Sequence, residues 1–134
     1  MASLNQVQAL VDELARDLGR SVEVDNPALE VLSASAQIGA IDDRCLSSII
    51  DRTPPAEPLP WLLGFGIQQA VRPVRIPANP RYGMLPRVCF PVRRAGELCA
   101  YLWLFDDPAV DESQMAQTLA AVEQLARLVE RGDE

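Results

Sequence analysis

The sequence predicts an α+β fold, an antiparallel sheet of about five strands bracketed by N- and C-terminal helices. Three observations carry the prediction. Apolar residues recur at helical spacing at both ends of the chain, two apolar runs of strand length flank Arg94, Ala95, Gly96 and Glu97, and the eleven prolines concentrate between Thr53 and Pro91. That proline density argues for kinked connections and edge strands in the middle of the chain rather than one long helix.

Ser3 followed by Gln6 reads as a capping box, after which Leu4, Val7, Leu10, Val11, Leu14 and Leu18 share one face until Gly19 stops the helix. Ser21 to Asp25 alternates as a strand, Asn26 and Pro27 make a turn, and Leu29 to Ala34 is the partner strand. Asp42 and Asp43 cap a short helix with Ile41, Cys45, Leu46, Ile49 and Ile50 on its apolar side, ended by Thr53, Pro54 and Pro55. A second short helix covers Pro60 to Phe65, with Gly66 as its stop. Pro73 and Pro77 hold Val71 to Pro77 extended, and Ala78 to Gly83 is a loop of turn formers. Asp111 caps the last helix, whose stripe of Met115, Leu119, Val122, Leu125, Ala126 and Val129 recurs at seven-residue intervals. Arg127 and Arg131 stand near the favourable end of its dipole.

The strongest strand signal is the pair Arg87 to Arg93 and Leu98 to Phe105, which reads as a hairpin. A two-residue turn at Ala95 and Gly96 sets Phe90 across from Tyr101 and Val88 across from Trp103. One face then carries Val88, Phe90, Val92, Cys99, Tyr101 and Trp103, and the other Cys89, Leu98, Ala100, Leu102 and Leu104. A strand apolar on both faces belongs at the centre of a sheet covered on both sides. Pro91 implies an unpaired amide or a bulge in its own strand.

With 134 residues, 49% of them hydrophobic, the chain is expected to form one domain. Its net charge of −7 hides a reversal: residues 70 to 97 hold Arg72, Arg75, Arg81, Arg87, Arg93 and Arg94 against Glu97 alone. An acidic total with no lysine disfavours non-specific nucleic-acid binding. Three cysteines, Cys45, Cys89 and Cys99, form no CxxC motif and suit a reducing compartment, so the cytoplasm is the expected location. There is no basic start followed by an apolar run at the N-terminus, and no apolar stretch of membrane-spanning length, so no membrane is expected as a partner.

The stretch from Val71 to Asp107, VRPVRIPANPRYGMLPRVCFPVRRAGELCAYLWLFDD, resembles the N-terminal sensory region of purine catabolism regulator-like (PucR-type) bacterial transcription factors. RCLSSIIDRTPP from Arg44 and WLLGFGIQQAVRPVRIP from Trp61 support it, so the similarity covers most of the chain. The resemblance implies a GAF-like or PAS-like domain that precedes a separate C-terminal helix-turn-helix in the complete regulator. Residues 1–134 are then a single regulatory domain and a piece of a longer protein. Against the family pattern, Tyr82, Phe90 and Cys99 replace smaller or aliphatic residues, which makes any pocket they line individual to this chain.

Candidate ligand-binding residues are Arg75 and Arg87, whose guanidinium forks suit a carboxylate, phosphate or polarised carbonyl, with Trp61, Phe90, Tyr101 and Trp103 as walls for a flat heterocycle. Each also has a plainer reading. Edge-strand arginines discourage aggregation, and aromatic residues, 5% of the chain, fill cores. A metal site is not expected, since there is no histidine and Cys89 and Cys99 point to opposite faces. No cofactor is implied. The doublets Asp42, Asp43 and Asp106, Asp107 lie at element ends, where caps and turns use aspartate. A recurring seven-residue pattern can instead seal two protomers together, with Leu4, Val7, Val11, Leu14, Met115, Val122 and Val129 lining a twofold interface.

The expectation is therefore a regulatory module acting by binding a small metabolite or by dimerising, without catalytic activity. The alternative is a ligand-free interaction or dimerisation domain of the same fold whose pocket is filled by its own side chains.

Overall fold

The computed structural model describes residues 3–36 and 59–132. The expected helix around Asp42 and Asp43, with Cys45, lies outside them. In chain order the described elements are α1 (Ser3–Leu18), β1 (Val22–Asp25), β2 (Val31–Ala34), α2 (Leu59–Leu63), β3 (Val74–Ile76), a 3-10 turn (Pro80–Tyr82), β4 (Arg87–Arg94), β5 (Glu97–Phe105) and α3 (Glu112–Gly132). The strands form one antiparallel sheet in the order β2-β1-β5-β4-β3. The two terminal helices pack on each other and on the same face of that sheet.

Local chemistry explains the element ends. Gly19 takes a left-handed conformation (φ 69°) and donates its amide to the Ala15 carbonyl at 2.8 Å, closing α1. Asn26 accepts the amides of Ala28 and Glu30 at 2.9 and 3.0 Å through its side-chain oxygen, which turns β1 back into β2. Asp111 and Gln114 cap α3 reciprocally, with the Gln114 amide 2.8 Å from the Asp111 carboxylate. At the hairpin tip Ala95 (φ 54°) and Gly96 (φ 83°) both adopt positive φ, the two-residue turn that matches strand twist.

β5 lies between β1 and β4, and every residue from Ala100 to Phe105 is buried, as a strand apolar on both faces requires. Its register differs from the expected one. Phe90 pairs with Leu102 and Val88 with Leu104, because Val92 faces Ala100 while Arg93 faces Leu98, leaving Cys99 as an extra residue. This bulge shifts everything beyond it by one position and exchanges the two faces of the sheet. The β3 ladder ends at Cys89, two residues short of Pro91, whose nitrogen has no hydrogen to donate.

Two apolar clusters result. Val88, Phe90, Val92, Ala100, Leu102 and Leu104 meet Val7, Val11, Leu14, Leu18, Leu125 and Val129 on the side of the terminal helices. On the other side, Cys89, Tyr101 and Trp103 meet Leu29, Leu62, Ile67 and Ile76, with Trp61 and Phe65 at the margin. Within α3 the inward line is Thr118, Ala121, Leu125 and Val129, and Leu119, expected on the apolar stripe, is 45% exposed. Thr118 reaches full burial by returning its hydroxyl to the Gln114 carbonyl at 2.7 Å.

Candidate functional site

The sheet face turned away from α1 and α3 gathers groups that a core does not need. Antiparallel partners point to the same side, so Asp25 lies beside Tyr101, and Glu23 beside Trp103, whose other neighbour is Cys89. Asp25 is 5% exposed, Tyr101 fully buried and Trp103 9% exposed. Among the described residues, Asp25 Oδ1, Tyr101 Oη and Trp103 Nε1 all lack a hydrogen-bond partner. A buried polar atom left unpaired costs about 1–3 kcal/mol. Three on one face mark a place where the fold accepts that cost.

The electrostatics follow from the burial. Desolvation holds the Asp25 carboxyl well above the usual carboxylate range, and Glu23, two residues along the same strand, pushes it further through its charge and a shared hydrogen bond. Trp103 and, more weakly, Arg87 pull the other way, although the indole N–H completes no bond of normal geometry. Burial likewise raises the Tyr101 phenol to about 12 and pushes up the Cys89 thiol, with the Asp25 charge adding to it. Asp25 is thus a carboxyl that carries its proton well above the ordinary range and offers one unused oxygen. It can donate to an acceptor or, once ionised, accept from a cation.

Of the expected ligand residues, Trp61, Tyr101, Trp103 and Arg87 lie on this side of the sheet. The Tyr101 and Trp103 rings stand 6.0 Å apart and tilted at 46°, while Trp61 packs edge-on against Phe65 at 5.0 Å. The Arg87 guanidinium lies 5.3 Å from the Phe105 ring centre, and its Nε donates to the Leu85 carbonyl at 3.1 Å. Phe90 is a correction: the register turns it to the helix side, fully buried, away from the other aromatics. Arg75 is another, since it also points to the helix side and is bonded to Asp106 and the Val110 carbonyl. Arg93 holds the carbonyls of Gln68 and Ala70 at 2.6 and 2.8 Å.

Asp25 and Glu23 escaped the sequence reading because a strand-end acid looks like surface. The signal was alternation, which puts residues 23 and 25 on one side and Val22 and Val24 on the other. A separate cleft of about 350 Å³ opens beside the hairpin tip, between Asn26, Arg94, Leu98, Cys99 and Val129. Its Asn26 oxygen is spent on the β1–β2 turn, and Cys99 Sγ lies 3.5 Å from the Glu97 carbonyl. Cys89 and Cys99 pack into opposite clusters. Among the described residues no helix is long and apolar enough to cross a membrane.

The expected twofold interface is largely used inside the chain. Val7, Val11, Leu14 and Val129 are buried against their own sheet, and Met115 and Val122 are half-buried at its edge. Nothing is described of the Leu4 side chain.

The chain matches no family model and no curated protein. Among solved structures it is similar to the GAF domain/HD domain protein from Geobacter sulfurreducens, with a TM-score of 0.67 and 13% identity over 96% of this chain and 92% of that one. It is similar to the GAF domain of the Acinetobacter phosphoenolpyruvate-protein phosphotransferase, with a TM-score of 0.66 and 11% identity over 99% and 85%. The fold is GAF-like. The GAF-like fold is shared as well by the type II free methionine-R-sulfoxide reductase from Thermoplasma acidophilum, with a TM-score of 0.62 and 17% identity over 96% and 92%. That likeness corrects the expectation of a module without catalytic activity. A GAF-like fold carries an enzyme in that case, so neither the architecture nor the want of a familiar motif excludes chemistry.

Proposed function

We propose that residues 1–134 form the single GAF-like regulatory domain of a cytoplasmic PucR-type transcriptional regulator, and that it binds a small metabolite on the sheet face of Asp25, Tyr101 and Trp103. The observation that carries the reading is the convergence there of three buried polar atoms without partners among the described residues, walled by aromatic rings. The resemblance of Val71 to Asp107 to the PucR-type sensory region supports the regulatory role. A ligand would act through a difference in affinity between two arrangements of the domain. The test is a thermal-shift screen of soluble metabolites on the wild type, Tyr101→Phe and Arg87→Ala. A stabilising compound whose effect is lost in Tyr101→Phe supports the site, and loss in Arg87→Ala adds the arginine to it. A silent screen favours a domain whose face is closed by its own side chains.

A second reading, dimerisation, rests on the outer side of α3, where Leu119 is 45% exposed beside half-buried Met115 and Val122. Under it, Val122→Glu converts a dimer to a monomer in light scattering. A wild type that is monomeric at high concentration ends that reading.

A further inference from the structure

The three atoms left open on the face of Asp25 differ in what each can exchange, and the difference defines the edge of a ligand. Trp103 Nε1 can only donate, whereas Tyr101 Oη both donates and accepts. Asp25 shares a hydrogen bond with Glu23 that favours its protonated form, so Asp25 is the donor in it and Oδ1 stays as the carbonyl oxygen of an uncharged acid, an acceptor. All three side chains are more than nine-tenths buried, and among the described residues none of the three atoms has a partner. The ladder sets their placement: Asp25 is the direct partner of Tyr101, and Trp103 stands two residues along β5 on the same side. The indole N–H acts on Asp25 without completing a bond of normal geometry, so an open donor and an open acceptor are near neighbours.

The complement of that pair is an N–H beside a C=O on one edge of a molecule. Primary carboxamides and cyclic amides present such an edge, whereas an open-chain secondary amide is trans and sets its N–H and C=O on opposite sides. Charge is disfavoured on separate grounds. Burial is the largest influence on Asp25, and a site that penalises ionisation of its own carboxyl penalises a charged ligand in the same way. The tilted rings of Tyr101 and Trp103, with Trp61 and Phe65 at the half-buried margin, suit a flat apolar body.

We infer that this face takes an uncharged primary carboxamide or cyclic amide on a flat apolar body, whose N–H donates to Asp25 Oδ1 and whose carbonyl accepts from Trp103 Nε1. Tyr101 Oη then serves the second lone pair of that carbonyl. The inference rests on the proposed ligand site and names its ligand class.

Five probes of similar shape test it. Benzamide and isocarbostyril carry the paired edge, N,N-dimethylbenzamide lacks the N–H, benzoate is the matching anion and benzamidine the matching cation. Affinity is read by calorimetry, and contact with the site by the indole N–H resonances of Trp61 and Trp103, the two tryptophans of the chain, assigned with Trp103→Phe. Benzamide and isocarbostyril should bind and move the Trp103 resonance, and the other three should bind at least tenfold more weakly. Trp103→Phe and Asp25→Leu, checked for folding by circular dichroism, should each weaken both amides about tenfold. The wild-type series stands whether or not either variant folds. Benzoate, benzamidine or N,N-dimethylbenzamide matching the two amides while moving the Trp103 resonance overturns the amide class and leaves the site in place. Amides that bind without moving that resonance overturn it too. Silence of all five probes also overturns it, and the metabolite screen then decides separately whether this face binds anything.

Discussion

Arg75 Nη1 lies 2.7 and 2.8 Å from the two carboxylate oxygens of Asp106, which ties the edge strand β3 to the segment that leads into α3. Its Nη2 donates to the Val110 carbonyl at 2.9 Å, and Asp106 in turn accepts the Val110 amide at 2.8 Å. The Arg75 side chain is 49% exposed, so solvent screens the pair and its worth is set by geometry more than by charge. Arg75→Ala should lower stability by about 1 kcal/mol, and by less in high salt, in urea denaturation.

Arg20 should matter more, although it lies outside the basic stretch. It is 9% exposed and donates at 2.8, 2.7 and 3.0 Å to the carbonyls of Phe105 and Pro108 and to Gln114 Oε1. Gln114 donates on to the Leu18 carbonyl at 3.1 Å, so one knot joins the end of α1, the end of β5 and the start of α3. Arg20→Met strands these acceptors and should cost about 1–3 kcal/mol, measured by chemical denaturation. Arg20→Lys should rescue little, since one ammonium cannot reproduce the planar fork.

Asp25 makes stability depend on pH in an unusual direction. Its folded pKa is raised, so between the unfolded value of about 3.9 and the folded one the native state holds the extra proton. Stability from this group is full below the unfolded value and declines as pH rises towards the folded one. Asp25→Asn should flatten that decline, leaving the variant the more stable protein at pH 8 and nearly level with the wild type at pH 4. Denaturation curves across that range would show it, and a wild type whose stability climbs with pH would contradict it.

Phe90 separates packing from recognition. It is fully buried among the residues of the helix-side cluster, so Phe90→Ala should cost about 3–5 kcal/mol in chemical denaturation while leaving the affinity of any compound that binds beside Tyr101 unchanged. Trp61→Ala, at a half-buried margin of the opposite cluster, should cost less.

The same residue shows what the sequence could and could not convey. The helices at both ends, the β1–β2 hairpin and the β4–β5 hairpin were legible because caps, turn residues and period-3.6 spacing are local signals. The register was not. β5 is apolar on both faces, so alternation carries no mark of which residues face the helices, and the bulge at Cys99 silently moves Phe90 from Tyr101 to Leu102. Half of the candidate face, Tyr101 and Trp103, was visible as aromatic residues. Asp25 was not, because its distinction is the lack of a partner, and that depends on what β5 places beside it. Arg75 and Arg93 looked like a loose basic surface because most of their carbonyl and carboxylate partners, Gly96 excepted, lie 23 to 35 residues away.

β5 has no idle side. Leu102 and Leu104 rest on the terminal helices while Tyr101 and Trp103, one peptide link away, rest on the opposite cluster. The sheet at this point is a diaphragm one chain thick: the ribbon that lays Tyr101 and Trp103 on one surface is the same one that seats Leu102 and Leu104 under the helices.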